Sequence, residues 1–433
     1  MSRTIDIAKA VCIVYMVAVF LRNTGRVMKA IELCQECLIV LNSRVLIKDT
    51  QLANLLFHTI YMVMINSYEA LHEHTIAEKY LRKLLLSQNQ TSDDTVNKGW
   101  LNLRLARTLR AQNNLLEARK FYESAIKIMK TNDNTQIVWL CYEEMGTLLH
   151  SIEEYDQCKS YLEKGLALSM DICDRYGEAI SCGNLGTLFQ SLGKYDKARE
   201  YQEKALAIRR AIKDRKGEAT SYENLGTTFQ SLGKYDKARE CQEKAIAIRR
   251  EIGDKKGEAT SYRKLGILSY SIEKYKEARE CQEKALTIRK EIGDRKGEAI
   301  CYEDLGILFQ SQGKYDQARQ HLEKALAFRR EIGDKKGEAT NYGKLGILFY
   351  SIDKYIEARE CQEKALAIRQ EIDDRKGAAT SYEDLGILFQ SQGKYDQARE
   401  HLEKALAIRR EIGDRDRKGE ATCHEYLGIL LQS

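Results

Sequence analysis

The chain has 433 residues, with 70 Lys and Arg against 64 Asp and Glu, twelve cysteines and no proline. A net charge of +6 over that length sets up no strong field for a phosphate backbone or an acidic membrane, so neither nucleic acid nor a membrane is an expected partner. Without proline the main breaker of helices is missing.

In chain order, the first feature is an apolar run from Ala10 to Leu21, behind Arg3 and Lys9. It resembles the core of a signal peptide but is too short to span a bilayer. The residues after it decide the reading: Gly25-Arg26-Val27-Met28-Lys29-Ala30 reproduces the spacing of Gly193-Lys194-Tyr195-Asp196-Lys197-Ala198, so the run predicts a buried first helix. Cys34-Gln35-Glu36-Cys37 has no second cysteine pair, and its spacing puts Cys37 at a small-residue packing position rather than in a metal or redox site. His72 and His74 fall at a predicted turn with no cysteines nearby, so solvent exposure is expected. Ala30 and Ala77 mark the second helices of divergent hairpins within residues 1–92.

From residue 97 a forty-residue pattern takes over and runs to residue 433, with Leu-Gly pairs ending at Gly186, Gly226, Gly266, Gly306, Gly346 and Gly386. A fixed period of this length is the mark of stacked repeats, each burying its apolar face only against its neighbours. In one copy, Tyr222, Leu225, Gly226 and Phe229 make a helical stripe; Gly233 supplies the positive φ that ends it; and helical spacing resumes from Tyr235 through Ala238, Ala245 and Ile248. Each copy is a helical hairpin, and about ten are expected. Gly226, Ala238 and Ala245 allow the two axes to approach closely, so Gly226→Leu is expected to overpack the contact by about 1–3 kcal/mol. Arg249 and Arg250 oppose the dipole at the end of the second helix. Cys241, Cys281 and Cys361 share one repeat position with Tyr201, His321 and His401, an exchange that a disulfide framework would not tolerate, so reduced thiols and a cytoplasmic location are expected.

A second period lies inside the first. Tyr302 to Gly313 recurs unchanged at Tyr382 to Gly393, while Tyr262-Arg263-Lys264-Leu265-Gly266 pairs with Tyr342-Gly343-Lys344-Leu345-Gly346. The duplicated unit is therefore a block of two hairpins. After Gly428 the chain stops where a second helix should begin, and the unpaired helix is expected to expose Leu427, Leu430 and Leu431, as a truncated piece or as a site of self-association.

No nucleophile, base and orienting group converge, no cofactor or metal motif is present, and the Leu-Gly glycines sit inside helices rather than in phosphate loops. The chain reads as no enzyme. Arg209-Arg210, Arg249-Arg250, Arg329-Arg330 and Arg409-Arg410 form a basic column expected on the outer surface, but Glu251, Glu331 and Glu411 follow three of the pairs and argue against nucleic acid.

Leu-Gly, then an aromatic, then two alanines seven apart resembles the tetratricopeptide repeat family. The resemblance implies an all-α, right-handed superhelical solenoid of antiparallel hairpins. The forty-residue form, with Gly-Asp in place of the family's usual proline, resembles spindle-orientation scaffolds of the Partner-of-Inscuteable and G-protein-signalling-modulator type, and large multi-repeat tetratricopeptide proteins. The segment Lys244-Ala245-Ile246-Ala247-Ile248-Arg249 is more distantly similar to kinesin light chains. Where those scaffolds carry a peptide-holding asparagine after Leu-Gly, this chain has Thr147, Thr187, Thr227, Ile267, Ile307, Ile347 and Ile387.

In the family, first helices line a concave groove. The resemblance therefore places Glu223, Asn224, Arg263, Lys264, Glu303, Asp304, Gly343, Lys344, Glu383 and Asp384 along that groove, with Gln230, Tyr270, Gln310, Tyr350 and Gln390 one turn beyond. Such alternating charge suits an extended peptide segment of mixed charge from a partner protein, in a cytoskeletal, mitotic or signalling scaffold. It also suits acidic and basic helices that pair with each other, as a structural spacer or self-assembling array would have.

Overall fold

The computed structural model describes residues 2–42, 50–88, 95–413 and 417–430. These form helices throughout, in two compact units divided between Lys194 and Tyr195. The first unit holds α1 (Ser2–Asn23), α2 (Val27–Asn42), α3 (Thr50–Ala70), α4 (His74–Gln88), α5 (Thr95–Ala111), α6 (Leu115–Thr131), α7 (Thr135–Ser151), α8 (Tyr155–Asp171) and α9 (Arg175–Ser191). The second holds α10 (Tyr195–Ala211), α11 (Arg215–Ser231), α12 (Tyr235–Glu251), α13 (Lys255–Ser271), α14 (Tyr275–Glu291), α15 (Arg295–Ser311), α16 (Tyr315–Glu331), α17 (Lys335–Tyr350), α18 (Tyr355–Glu371), α19 (Arg375–Ser391), α20 (Tyr395–Ile412) and α21 (Arg417–Leu430). Within each unit consecutive helices pack in pairs, and each pair packs on the next, as the hairpin reading requires.

The turns keep a strict beat. A residue with positive φ ends each turn at Gly193, Lys213, Gly233, Gly253, Glu273 and onward at twenty-residue steps, glycine in some copies and a strained L-residue in others. Helix entry is just as regular. Asp254 accepts the Gly257 amide at 2.9 Å, and Asp214, Asp294, Asp334 and Asp374 do the same in their copies.

Inside each hairpin the small residues sit at the crossing. Ala238 and Ala245 are fully buried. A Cβ on Gly226 would meet Gln242 Nε2 at 2.5 Å and the Ala238 carbonyl oxygen at 3.2 Å. The glutamine could shift, but the backbone oxygen could not. Gly226→Leu should therefore lower unfolding free energy by about 1–3 kcal/mol in urea titrations, with helicity retained.

Two expectations about burial need correcting. The Ala10 to Leu21 run is helical within α1, but only Val11 and Ala18 are buried, while Ile13, Met16 and Phe20 are each more than half exposed. Its neighbours α2 and α3 cover one face and leave the other open. At the far end, Leu427 is half-buried against Ala405, Leu406 and Cys423 rather than exposed. The Leu430 side chain and Leu431 lie outside the described residues.

Candidate functional site

The candidate groove residues sit on α11, α13, α15, α17 and α19, the first helices of the second unit. The structure brings most of their charges together. Glu223 is 4 % exposed and gathers three partners: Lys264 Nζ at 3.0 Å, Ser261 Oγ at 2.7 Å and Arg249 Nη2 at 3.3 Å. Two hairpins later Glu303 repeats the set with Lys344, Asn341 Nδ2 at 3.2 Å and Arg329 Nη2 at 3.5 Å. Between these two clusters Arg263 reaches the next first helix, with Nε 2.5 Å from Asp304 Oδ2 and Nη2 3.2 Å from Oδ1. The alternating acids and bases thus form a ladder, each rung joining one hairpin to its successor. Low exposure makes such rungs strong constraints on register, because a lone buried charge is costly.

The ladder has gaps. Glu383 keeps an arginine, Arg409, but Tyr426 stands near it where a lysine would be expected. Asp384 is the counterpart of Asp304, yet Gly343 replaces the arginine that would reach it. Burial, and then the neighbouring Glu383, push the Asp384 carboxyl up to about 7. In the first unit Glu143 occupies the Glu223 position with only neutral partners, Ser181 Oγ at 2.5 Å and Asn184 Nδ2 at 2.7 Å, and burial raises its carboxyl to about 7.

The uncharged candidates form a second row. Gln230 donates to Ser271 Oγ at 3.1 Å and Gln310 to Ser351 Oγ at 3.3 Å; Asn224 and Gln390 are half-buried. Tyr270 leans on Tyr275 and Tyr350 on Tyr355, each with ring centroids 6.0 Å apart. Ile347 is 47 % exposed beside Tyr350, which is 37 % exposed. The threonines after Leu-Gly are committed to their own helices: Thr187 donates to the Gly183 carbonyl at 3.1 Å and Thr227 to the Glu223 carbonyl at 3.0 Å. With the hydroxyl proton spent, they can accept from a ligand but cannot also donate to it as an asparagine amide does.

Two equivalent cavities open on this row. One, of about 200 Å³, lies between Ile267, Tyr270, Gln282, Asp304 and Ile307; the other, of about 190 Å³, lies between Ile347, Tyr350, Gln362, Asp384 and Ile387. They recur with the two-hairpin period.

The residues that sequence reasoning misplaced are the first arginines of the basic column. Arg209, Arg249, Arg329 and Arg409 are each under 10 % exposed, not on the outer surface. Arg249 passes over Gly257, where a Cβ would lie 2.6 Å from its Cδ, to reach Asp254 Oδ2 at 2.6 Å and Thr220 Oγ1 at 2.8 Å. Burial works against the Asp254 carboxylate, but the Gly257 amide and Arg249 outweigh it and hold it below the usual range. The signal was present as Arg-x-x-x-x-Asp-x-x-Gly, recurring at forty-residue steps from Arg209 to Arg369.

Cys34 and Cys37 are both buried on α2, and burial, then the Cys37 charge, pushes the Cys34 thiol up to about 12, far from the reactive range. His72 is exposed at a turn with φ 60°, whereas His74 is half-buried. Among the described residues, no group of three or more His, Cys, Asp and Glu could hold a metal ion, and no helix is long and apolar enough to cross a membrane.

No protein of curated function matches the sequence. Among solved structures, a signal-transduction ATPase with a tetratricopeptide repeat sensor from Pyrococcus horikoshii aligns at 18 % identity with TM-score 0.50, over 79 % of this chain and 54 % of that one. BtubC from P. vanneervenii aligns at 22 % identity over 52 % of this chain and 92 % of its own, TM-score 0.44. Kinesin light chain tetratricopeptide-like repeats from Podosopora anserina align at 18 % identity over 45 % and 95 %, TM-score 0.39. The tetratricopeptide repeat family model matches residues 139–211 and 217–291 and, in overlapping segments, onward to 433. Helix pairs on a forty-residue period, small residues at each crossing and that match over most of the chain agree: this chain belongs to the tetratricopeptide repeat family.

Proposed function

We propose that the second unit is a non-enzymatic scaffold surface that holds extended segments of partner proteins along its first helices. The observation that carries this reading is the pair of matching cavities beside Tyr270 and Tyr350, each with apolar walls and one carboxylate, which suits side chains projecting from an extended ligand. The paired charges set the register of the wall, and the Ile and Tyr row makes the contact. A cytoplasmic assembly of cytoskeletal, mitotic or signalling type is the proposed setting. The spacer reading has its own support, since Glu223, Arg263, Glu303 and Lys344 are all engaged within the chain.

Panning a phage-displayed random dodecapeptide library on the full chain separates the two. A binding surface enriches clones that retain at least about tenfold less on a Tyr270→Ala/Tyr350→Ala variant of unchanged circular dichroism, since stacking of this kind is worth about 1 kcal/mol or more per ring. A spacer enriches no clones that distinguish the two forms.

A further inference from the structure

The two cavities are twins by duplication, and they differ at one decisive place. In the first, Asp304 is neutralised within the chain by the Arg263 guanidinium, a two-point contact across 2.5 and 3.2 Å. In the second, the same position is Gly343. A Cβ built there would lie in ordinary van der Waals contact with Arg369 Nη2 at 3.6 Å and Gln362 Oε1 at 3.9 Å, but no side chain springs from this position to reach Asp384 as Arg263 reaches Asp304.

The groups around the gap leave a demand for hydrogen-bond donors. Gln362 is 3 % exposed; its amide nitrogen donates to the Gly343 carbonyl at 3.1 Å, and its Oε1 has no hydrogen-bond partner. Gln362 and Asp384 line the same cavity. The nearest cation, Arg369, spends Nη1 on the Gly377 carbonyl at 2.9 Å and Ser381 Oγ at 2.6 Å. Glu383 next door is held by Arg409. Gln362 hydrogen-bonds the Asp384 carboxylate and the Arg369 charge acts on it, but neither replaces the two-point contact that Arg263 gives the twin. Ile347, Tyr350 and Ile387 supply apolar walls suited to the methylene stem of a long cationic side chain.

We propose that the Gly343–Asp384 cavity is a subsite for an arginine side chain of a partner peptide, which supplies from outside the guanidinium that Arg263 supplies to the twin site from within. The planar fork matches the carboxylate in two-point fashion and has N–H groups to spare for Gln362, which a lysine ammonium would serve less well. The proposal rests on the peptide-binding reading of this face. It also gives the ligand a polarity: the twin cavity, already neutralised, accepts an uncharged side chain two hairpins away.

The test uses the same displayed library on the full chain. Peptides selected by the native protein should carry arginine at one fixed position. Gly343→Arg, which restores the internal guanidinium, and Asp384→Asn, which removes the charge at constant size, should each bind those peptides at least about tenfold more weakly while still enriching others; a charged hydrogen bond of this kind is worth about that factor. Arg263→Gly should open the second cavity and select peptides with two arginines. Peptides without an arginine preference, a preference that survives Asp384→Asn, or lysine in place of arginine would overturn the subsite and leave the peptide-binding reading standing. Failure of every form to enrich any peptide would overturn both.

Discussion

Replacing Arg249 with alanine should cost about 3 kcal/mol of unfolding free energy, near the lower end of what breaking a buried ion pair costs. Its side chain is 8 % exposed and serves Glu223, Asp254 and Thr220 at once, so truncation removes a partner from a buried carboxylate and from a helix cap together. Lys264 and Ser261 remain on Glu223, which keeps the cost from rising further. Lys244→Ala is the matched control: its pair with Glu240 lies on the surface, at 48 % and 63 % side-chain exposure, and its loss should cost less than about 1 kcal/mol. Urea unfolding followed by circular dichroism measures both. Equal costs would return Arg249 to the outer, solvated column suggested by its position near the helix end.

Glu143→Gln should stabilise the first unit at pH 8 and remove part of its pH dependence. The carboxyl sits at about 7 when folded against an ordinary 4.5, raised chiefly by burial. A raised value means that the protonated form is the one folding favours. Its contribution is therefore complete below about pH 4.5 and is lost as pH rises through 7. The difference of about 2.5 units corresponds to about 3 kcal/mol between the two ends of that window. Glutamine can accept from Asn184 Nδ2 through its oxygen and donate to Ser181 Oγ through its amide nitrogen, and it cannot ionise, so the variant should gain about 1–3 kcal/mol at pH 8 and nothing near pH 4. Thermal melts of both forms across that range, with hydrogen exchange of α7 to α9, read the effect. A parallel pH profile for the two proteins would show that Glu143 is solvated in solution.

The hairpins were legible because their determinants are local. Helical spacing placed Tyr222, Leu225 and Phe229 on one stripe, the small residues marked the crossing, and Gly233 marked the turn; each falls where the spacing puts it. Burial at long range was not legible in the same way. Periodicity says that the Ala10 to Leu21 run is helical, but how much of it is covered depends on neighbours that the run does not encode. The position of Arg249 depends on a contact across the next turn, where the absence of a side chain at Gly257 makes room. The groove charges were visible as an alternation, which a ligand and a neighbouring helix would satisfy equally well; their actual partners lie one repeat plus one residue away, a separation meaningful only once hairpins are stacked. The gap at Gly343 became interpretable only when its twin was seen with the arginine in place.

The ladder also constrains how such a gene can change length. Excision of a single forty-residue copy, residues 262–301, would bring Asp304 to the place of Lys264 and set it against Glu223, acid facing acid on a buried surface. Excision of eighty residues, 262–341, would bring Lys344 there instead and restore the rung. Recombination between copies is therefore tolerated in even steps and penalised in odd ones, so an array of this kind counts its hairpins in pairs.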